Sequence, residues 1–170
     1  MTGPLVRPAT PADHAAVARL TVAAYEADGQ LKGEHGYAVT LADVATRAEH
    51  GEILVAVDEV TGDVLGSVTL VRPGSRYAEL SGPGQAEFRM LAVDPAAQGR
   101  GAGEALARAC VDRAAAQGCT AVMICVRDGM AAPARRLYER LGFVRAPEKD
   151  WSPAPGVELL GLRLELPARS

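Results

Sequence analysis

Apolar positions along the chain recur first with one period and then with another, and each change marks an element. Leu5-Val6-Arg7 reads as a short first strand. Thr10, Pro11 and Asp13 supply an N-cap, a first-turn proline and a capping-box acid. The helix they start puts Ala16, Val17, Leu20, Ala23 and Ala24 on one stripe and ends near 27–29. Residues 28–39 are punctuated by glycine and have no period, which predicts a loop or a cover. A shorter helical pattern runs over 40–49, with Leu41, Val44 and Ala45 inward and Gly51 as its stop. Strand-like runs at 53–57 and 64–71 flank a turn at 59–63, so the pair predicts a hairpin.

Residues 73–85, with two prolines and three glycines, predict a second irregular loop. The stretch 88–104, FRMLAVDPAAQGRGAGE, organises the rest. An apolar strand from Met90 to Val93 ends at Asp94-Pro95, and an Ala-rich helix follows over about 101–117. Ala102, Ala105, Leu106, Ala109 and Cys110 lie on one side of that helix; Glu104, Arg108 and Asp112 stack on another. The unbroken apolar run 121–126 predicts a strand buried on both faces. Pro133 opens a further helix, with Ala134, Leu137, Tyr138 and Leu141 along one stripe and Gly142 as C-cap. Phe143-Val144 starts another strand, 146–156 is a proline-rich connection around Trp151, and 157–166 alternates with Leu160, Leu162, Leu164 and Leu166 on one side. The order β-α-α-β-β-β-α-β-α-β-β predicts an α/β protein with a mixed sheet and helices on both faces. No repeat, linker or low-complexity tail interrupts it, so one domain is expected over residues 1–170.

Composition narrows the partners. A net charge of -3 and a pI near 5.6 give no electrostatic footprint for nucleic acid or an anionic membrane. With no long apolar run and no secretory leader pattern at MTGPLVRPATPADH, a cytoplasmic location is expected. The three cysteines form no CxxC pair and read as reduced thiols, Cys119 and Cys125 in or beside a strand. His14, His35 and His50 share no ligand spacing, so no metal is expected.

The chemistry concentrates at Gln98-Gly99-Arg100-Gly101-Ala102-Gly103. Three glycines at the mouth of a helix bring bare N–H groups and a partial positive charge close to whatever binds there, which suits a pyrophosphate. A turn that needs only positive φ is the simpler alternative, and for that one glycine suffices. A P-loop is absent, since no Lys-Ser/Thr closes a GxxxxG run. A dinucleotide GxGxxG is absent too: counted from Gly99 its last position is Glu104, and from Gly101 it is Leu106.

What is present is Q-x-x-G-x-G, from Gln98 through Gly101 to Gly103, after a strand ending Leu-Ala-Val-Asp-Pro, and later Leu137-Tyr138-Glu139-Arg140-Leu141-Gly142-Phe143. This pairing resembles the GNAT superfamily of acetyl-CoA-dependent N-acetyltransferases, closely over 86–145 and in pattern only before that. The resemblance implies a mixed, mostly antiparallel central sheet flanked by helices on both faces, acetyl-CoA as co-substrate and no metal. It implies that the backbone of Leu91, Ala92 and Val93 meets the pantetheine arm, with an oxyanion stabilised at a strand amide. Gln98, Gly99, Arg100, Gly101, Ala102 and Gly103 would hold the pyrophosphate; Arg100 could add an ion pair or stay solvated. Tyr138 matches the family's general acid for the departing thiolate, although a tyrosine at that helical spacing also suits a core. Glu87 matches an acidic base at the start of the strand; alternation, which would put it on one face with Arg89 and Leu91, also suits an ordinary surface charge. A second family position for a base falls on Cys125, a poor proton acceptor. The family's frequent Asn before the LYE motif is here Ala131, a departure that touches cofactor geometry.

Acceptor specificity in this family comes from loops matching 28–39, 73–85 and 146–156. Here they offer Glu34, His35 and Tyr37, then Arg76, Tyr77 and Glu79, then Asp150 and Trp151. Carboxylates beside aromatic faces would suit a cationic amine, and each residue could equally be solvated. Three readings follow: an N-acetyltransferase acting on a small-molecule amine, which is favoured; a non-catalytic acyl-CoA-binding module; and an acetyltransferase of protein N-termini or lysines. The resemblance also admits a homodimer through sheet edges or the C-terminal strand.

Overall fold

The structure, a computed structural model, describes residues 3–31, 36–71, 75, 77–129 and 132–167. Strand β1 (Leu5–Pro8) is tied to the first helix by Asp13, whose carboxylate takes the Thr10 backbone N–H at 2.7 Å and both guanidinium nitrogens of Arg7 at 2.8 and 3.1 Å. These bonds hold the Asp13 carboxyl down at about 2, the Arg7 bond contributing most. Helices α1 (His14–Ala27), α2 (Tyr37–Ala42) and α3 (Val44–His50) follow, then β2 (Gly51–Val57), β3 (Val64–Val71) and β4 (Gln85–Val93). The second half holds α4 (Ala102–Ala116), β5 (Ala121–Arg127), α5 (Ala132–Arg140), β6 (Val144–Arg145), β7 (Trp151–Ala154) and β8 (Val157–Glu165).

Eight strands form one sheet in the order β1-β2-β3-β4-β5-β8-β6, with β7 paired to β8. Every pairing is antiparallel except β4 with β5, so the sheet is mixed and mostly antiparallel, as expected. The apolar stripes bury as the periodicity predicts. Leu106 and Cys110 of α4, Leu137 of α5 and Leu162 of β8 join the main core on one face, with Leu160, Leu164 and Leu166 packed against it. Val17 and Leu20 of α1 and Val44 of α3 are buried on the other face. Among the described residues no helix is long and apolar enough to cross a membrane.

Three boundaries differ from the sequence reading. The helical pattern at 40–49 is two helices, because Asp43 leaves the helical region (φ -83, ψ 70) and its carboxylate accepts the Thr46 N–H that opens α3. Helix α2 starts at Tyr37, inside the stretch read as a loop. The connection 146–156 contains a short 3-10 turn, Pro147–Lys149, and strand β7, which closes a hairpin on β8.

The decisive irregularity lies in β4. Thr69 faces Arg89 but Ser67 faces Ala92, so β4 holds one extra residue there, and Met90 sits at φ +57. Such a bulge reverses side-chain parity. Glu87 and Phe88 alternate normally, but past the bulge Leu91 packs on the α4 side while Met90 and Ala92 pack on the α1 side. The expected grouping of Glu87, Arg89 and Leu91 on one face is therefore corrected: simple alternation fails at Met90. A bulge also increases local twist. The parallel ladder between β4 and β5 stops at Glu87 opposite Met123, and beyond it the two strands diverge.

Met90 is unbranched, which limits the strain of a left-handed backbone; a β-branched residue fits poorly at that φ. Met90→Val should lower stability by about 1–3 kcal/mol, and Met90→Leu by less than about 1.5 kcal/mol. Urea unfolding of the two variants checks the order, and equal losses would argue against the bulge as a constraint.

Candidate functional site

The loop that ends in α4 is shaped by its glycines. Gly99 and Gly101 both take left-handed backbone (φ +81 and +82), which turns the chain into the helix within a few residues. Gln98 ties the loop back to β4, its Nε2 donating to the Val93 carbonyl at 3.3 Å. Among the described residues the amides from Gly99 to Glu104 find no acceptor; the first amide of the helix to do so is that of Ala105, bonded to the Gly101 carbonyl at 3.0 Å. A row of unclaimed N–H groups at a helix start is an anion cradle. Gly103 needs no unusual φ, and a β-carbon there would touch Val93 and Leu137 only at 3.5 and 3.6 Å. Its bareness serves the groove rather than the fold.

That groove, of about 450 Å³, runs from the C-terminal end of β4 across the loop to α5. Leu91, Ala92, Val93, Gln98, Gly99, Gly101, Ala102 and Gly103 all line it, so the candidate cofactor residues come together. Arg100 is the exception. Its guanidinium turns away and pairs with Asp58, holding that carboxyl down at about 2 together with the Thr61 and Val60 amides. Of the two readings left open for Arg100, a phosphate ion pair or a solvated side chain, neither describes this geometry, in which the guanidinium is engaged by Asp58. Arg140, which the sequence reading left unassigned inside the LYE motif, is the cation that lines the groove.

From the groove a narrow passage of about 50 Å³ enters the gap between β4 and β5. The edges of both strands lack ladder partners there, leaving backbone donors and acceptors exposed to a guest. Tyr138 lines this passage, buried at 5% exposure and in edge contact with Phe88 and Phe143. Burial raises its phenol above the ordinary value. The two readings of Tyr138 therefore merge: its ring is core and also walls the passage. Cys125 lies in the same gap, and burial pushes its thiol up to about 11.

Past the passage the gap widens into a pocket of about 330 Å³. Tyr25, Tyr37, Tyr77 and Trp151 give it aromatic walls; Glu79, Arg89 and Arg127 give it charge. Tyr25 and Gln30 line all three cavities. Of the acceptor residues read from the loops, Tyr37, Tyr77, Glu79 and Trp151 reach the pocket. Asp150 does not: it pairs with Arg145 at 2.7 and 2.8 Å and accepts from the Gly161 N–H, which holds it at about 2. Glu34, His35, Arg76 and Ala131 lie outside the described residues. Tyr25, Arg89 and Arg127 were missed as pocket residues; an off-stripe tyrosine at the end of α1 and arginines inside apolar strands were the available signals.

Glu87 is neither a surface charge nor a member of these cavities. It is fully buried, and its carboxylate accepts the backbone N–H groups of Glu79 at 3.1 Å, Leu80 at 2.9 Å and Ser81 at 2.9 Å. The surface-charge reading is thus corrected: the side chain points under the 77–81 segment, whose amides need an acceptor. Among the described residues no group of histidine, cysteine and carboxylate side chains could hold a metal ion.

The model of the acetyltransferase (GNAT) family matches residues 16–143. Similar solved structures include a GCN5-related N-acetyltransferase from Kribbella flavida (28% identity, TM-score 0.69, 95% of this chain and 97% of that one). A histone acetyltransferase HPA2-related protein from Corynebacterium glutamicum aligns over 99% of both chains at 24% identity and TM-score 0.74. The yncA protein of Salmonella typhimurium, solved with its cofactor acetyl-CoA, aligns over 99% of this chain and 97% of its own at 22% identity and TM-score 0.67. No match was found among the curated proteins.

Replacing Glu87 by Gln keeps its size but turns an N–H donor toward loop amides that need acceptors. Glu87→Gln should cost about 1–3 kcal/mol of stability and speed proteolytic cleavage within 77–81. Urea unfolding and limited proteolysis read both effects, and wild-type behaviour in both would remove the anchoring role.

Proposed function

We propose that this chain, which belongs to the acetyltransferase (GNAT) family, moves an acetyl group from acetyl-CoA to the amine of a small molecule by direct attack. One observation supports this above the others: an anion cradle, a strand gap and an aromatic pocket are neighbouring cavities that share Tyr25 and Gln30 in their walls. The residues present suit acetyl-CoA. The amides at the start of α4 would take the pyrophosphate, with Arg140 beside them. The unpaired edge of β4 over Leu91, Ala92 and Val93 would hydrogen-bond the pantetheine arm. The thioester would then lie in the passage beside Tyr138, where a β4 amide stabilises the developing oxyanion.

In the reaction the amine, first deprotonated to its neutral form, bonds through nitrogen to the thioester carbon, the carbon–sulfur bond breaks with the bonding pair leaving on sulfur, and the surplus proton on nitrogen passes to Glu79 and on to solvent. A thiolate in that passage is costly, as the raised Cys125 thiol nearby indicates. Tyr138 supplies the proton that removes the charge. The same burial keeps Tyr138 protonated throughout the working pH range, so no loss of acid is expected around pH 10, where an ordinary tyrosine titrates. On the other side of the reaction, Glu79 is the carboxylate that faces the amine. Glu87, expected as the base, is better suited to positioning, since it binds the Glu79 backbone N–H from below.

A small acceptor is favoured over a protein because the pocket is walled by α2, the β7–β8 hairpin and the 77–81 segment. A purely cofactor-binding module would leave the aromatic pocket without a use, and turnover separates the two readings.

Calorimetric titration with acetyl-CoA, CoA and ATP should show acetyl-CoA binding and no ATP binding. Gly103→Glu should abolish acetyl-CoA binding by steric and like-charge conflict with the phosphates. Failure of the wild type to bind acetyl-CoA would defeat the proposal. With an acceptor in hand, Tyr138→Phe should lower kcat at least about tenfold with acetyl-CoA affinity kept. An unchanged kcat under conditions where chemistry limits turnover would remove the acid.

A further inference from the structure

We infer that Asp58, in the turn between β2 and β3, is a positioning residue for the cofactor: through Arg100 it holds the 98–101 loop in its cradle shape before acetyl-CoA arrives. This deepens the acetyl-transfer reading of the same site and rests on it. Little else holds the loop. Asp94 caps the turn that enters it, accepting the Ala96 N–H at 3.0 Å and pairing with Arg19 at 3.1 Å. Ala97 on one side and Ala102 on the other are buried in the main core. Between those fixed ends Gln98, Gly99, Arg100 and Gly101 are exposed, and a β-carbon on Gly99 or Gly101 would meet nothing within 4 Å. Packing therefore does not set the left-handed backbone at these two glycines, the residue type with the most conformational freedom to lose. Among the described residues the side chains of the loop make two bonds: the long one from Gln98 Nε2 to the Val93 carbonyl at 3.3 Å, and the ion pair of Arg100 with Asp58.

Asp58 is a firm post. Its turn is closed by backbone bonds from the Asp58 N–H to the Asp63 carbonyl at 2.9 Å and from the Gly62 N–H to the Asp58 carbonyl at 2.8 Å. Its Oδ1 accepts the Val60 and Thr61 N–H groups at 2.8 and 3.0 Å, which leaves Oδ2 for Arg100. The Asp58 side chain is 15% exposed against 49% for Arg100, so the carboxylate is the anchored end. Gripping the one side chain between two flexible glycines restrains the peptide planes on both sides, and with them the N–H groups that would face the phosphates. Order already present in the empty loop is not lost again on binding, so the tether raises affinity. Charge alone predicts the opposite sign. A carboxylate near a phosphate site repels the ligand, and this one also occupies an arginine that would otherwise be available to the phosphates.

Asp58→Asn separates the two signs, because asparagine keeps an oxygen for the Val60 and Thr61 amides and loses the charge that holds Arg100. In calorimetric titration with acetyl-CoA, Asp58→Asn and Arg100→Met should each bind at least about threefold more weakly than the wild type. The double variant should be no weaker than Arg100→Met, since both changes cut the same tether. Trypsin, which cuts after arginine, should cleave cofactor-free Asp58→Asn after Arg100 at least about threefold faster than the wild type, while the urea midpoint stays the same. Asp58→Asn binding as tightly as the wild type or more tightly would overturn the inference alone. So would losses that add in the double variant, cleavage at the wild-type rate, or a urea midpoint that falls together with the affinity. Failure of the wild type to bind acetyl-CoA would overturn the acetyl-transfer reading and this inference with it.

Discussion

The parallel contact between β4 and β5 ends almost as soon as it begins, and the rest of the site depends on that. A sheet interior ordinarily leaves no polar backbone exposed, because every N–H and carbonyl has a neighbour. Here the ladder closes at Glu87 and Met123, and the bulge at Met90 carries β4 away. The result is a gap whose edges are unspent hydrogen-bonding groups in the middle of a folded core. No loop could hold such groups as firmly, since both strands remain clamped on their outer edges, β4 by β3 and β5 by β8.

Keeping the gap open requires support on each side. Phe88, Tyr138 and Phe143 form a mutually edge-packed triad on the α5 side. On the opposite face the buried Glu87 carboxylate gathers the amides of 79–81 and so fixes the segment that carries Glu79 and Tyr77. A buried carboxylate with several N–H partners and the buried Arg47, bonded to the Thr69 hydroxyl and the Leu41 carbonyl, are expensive elements for a core of this size. Their placement beside the gap, and not elsewhere in the sheet, ties that cost to the site.

The sequence made one end of the path readable and hid the other. The cradle is built from consecutive residues whose demands are local: positive φ at Gly99 and Gly101, the absence of a Cβ at Gly103, a helix start at Ala102. Such requirements leave a direct mark on composition, and the strand, helix and stripe boundaries around them were legible for the same reason. The bulge at Met90 left no mark, because methionine is an ordinary strand residue and its φ follows from tertiary context. That single extra residue misassigned Leu91 to the wrong face. The partner of Arg100 was hidden for a related reason: Asp58, from the β2–β3 turn, lies forty-two positions away in sequence, and its claim on the guanidinium is invisible in one dimension.

The pocket end is illegible on physical grounds. Its residues come from α1, α2, the 77–81 segment, β4, β5 and the β7–β8 hairpin, so no window of sequence contains it. Reading loops alone favoured carboxylates and hence a cationic guest; of those carboxylates, Asp150 is spent on Arg145, Glu79 lines the pocket, and Glu34 lies outside the described residues. Arg89 and Arg127, which line the same pocket, sit within strands, where a pattern reader counts them as breaks in alternation. Backbone recognition of a constant partner is thus written locally, while side-chain recognition of a variable partner is written across the fold. The consequence for this chain is an asymmetric site: backbone amides at the cradle, set by neighbouring residues, and charged side chains at the pocket, brought together from distant strands and loops.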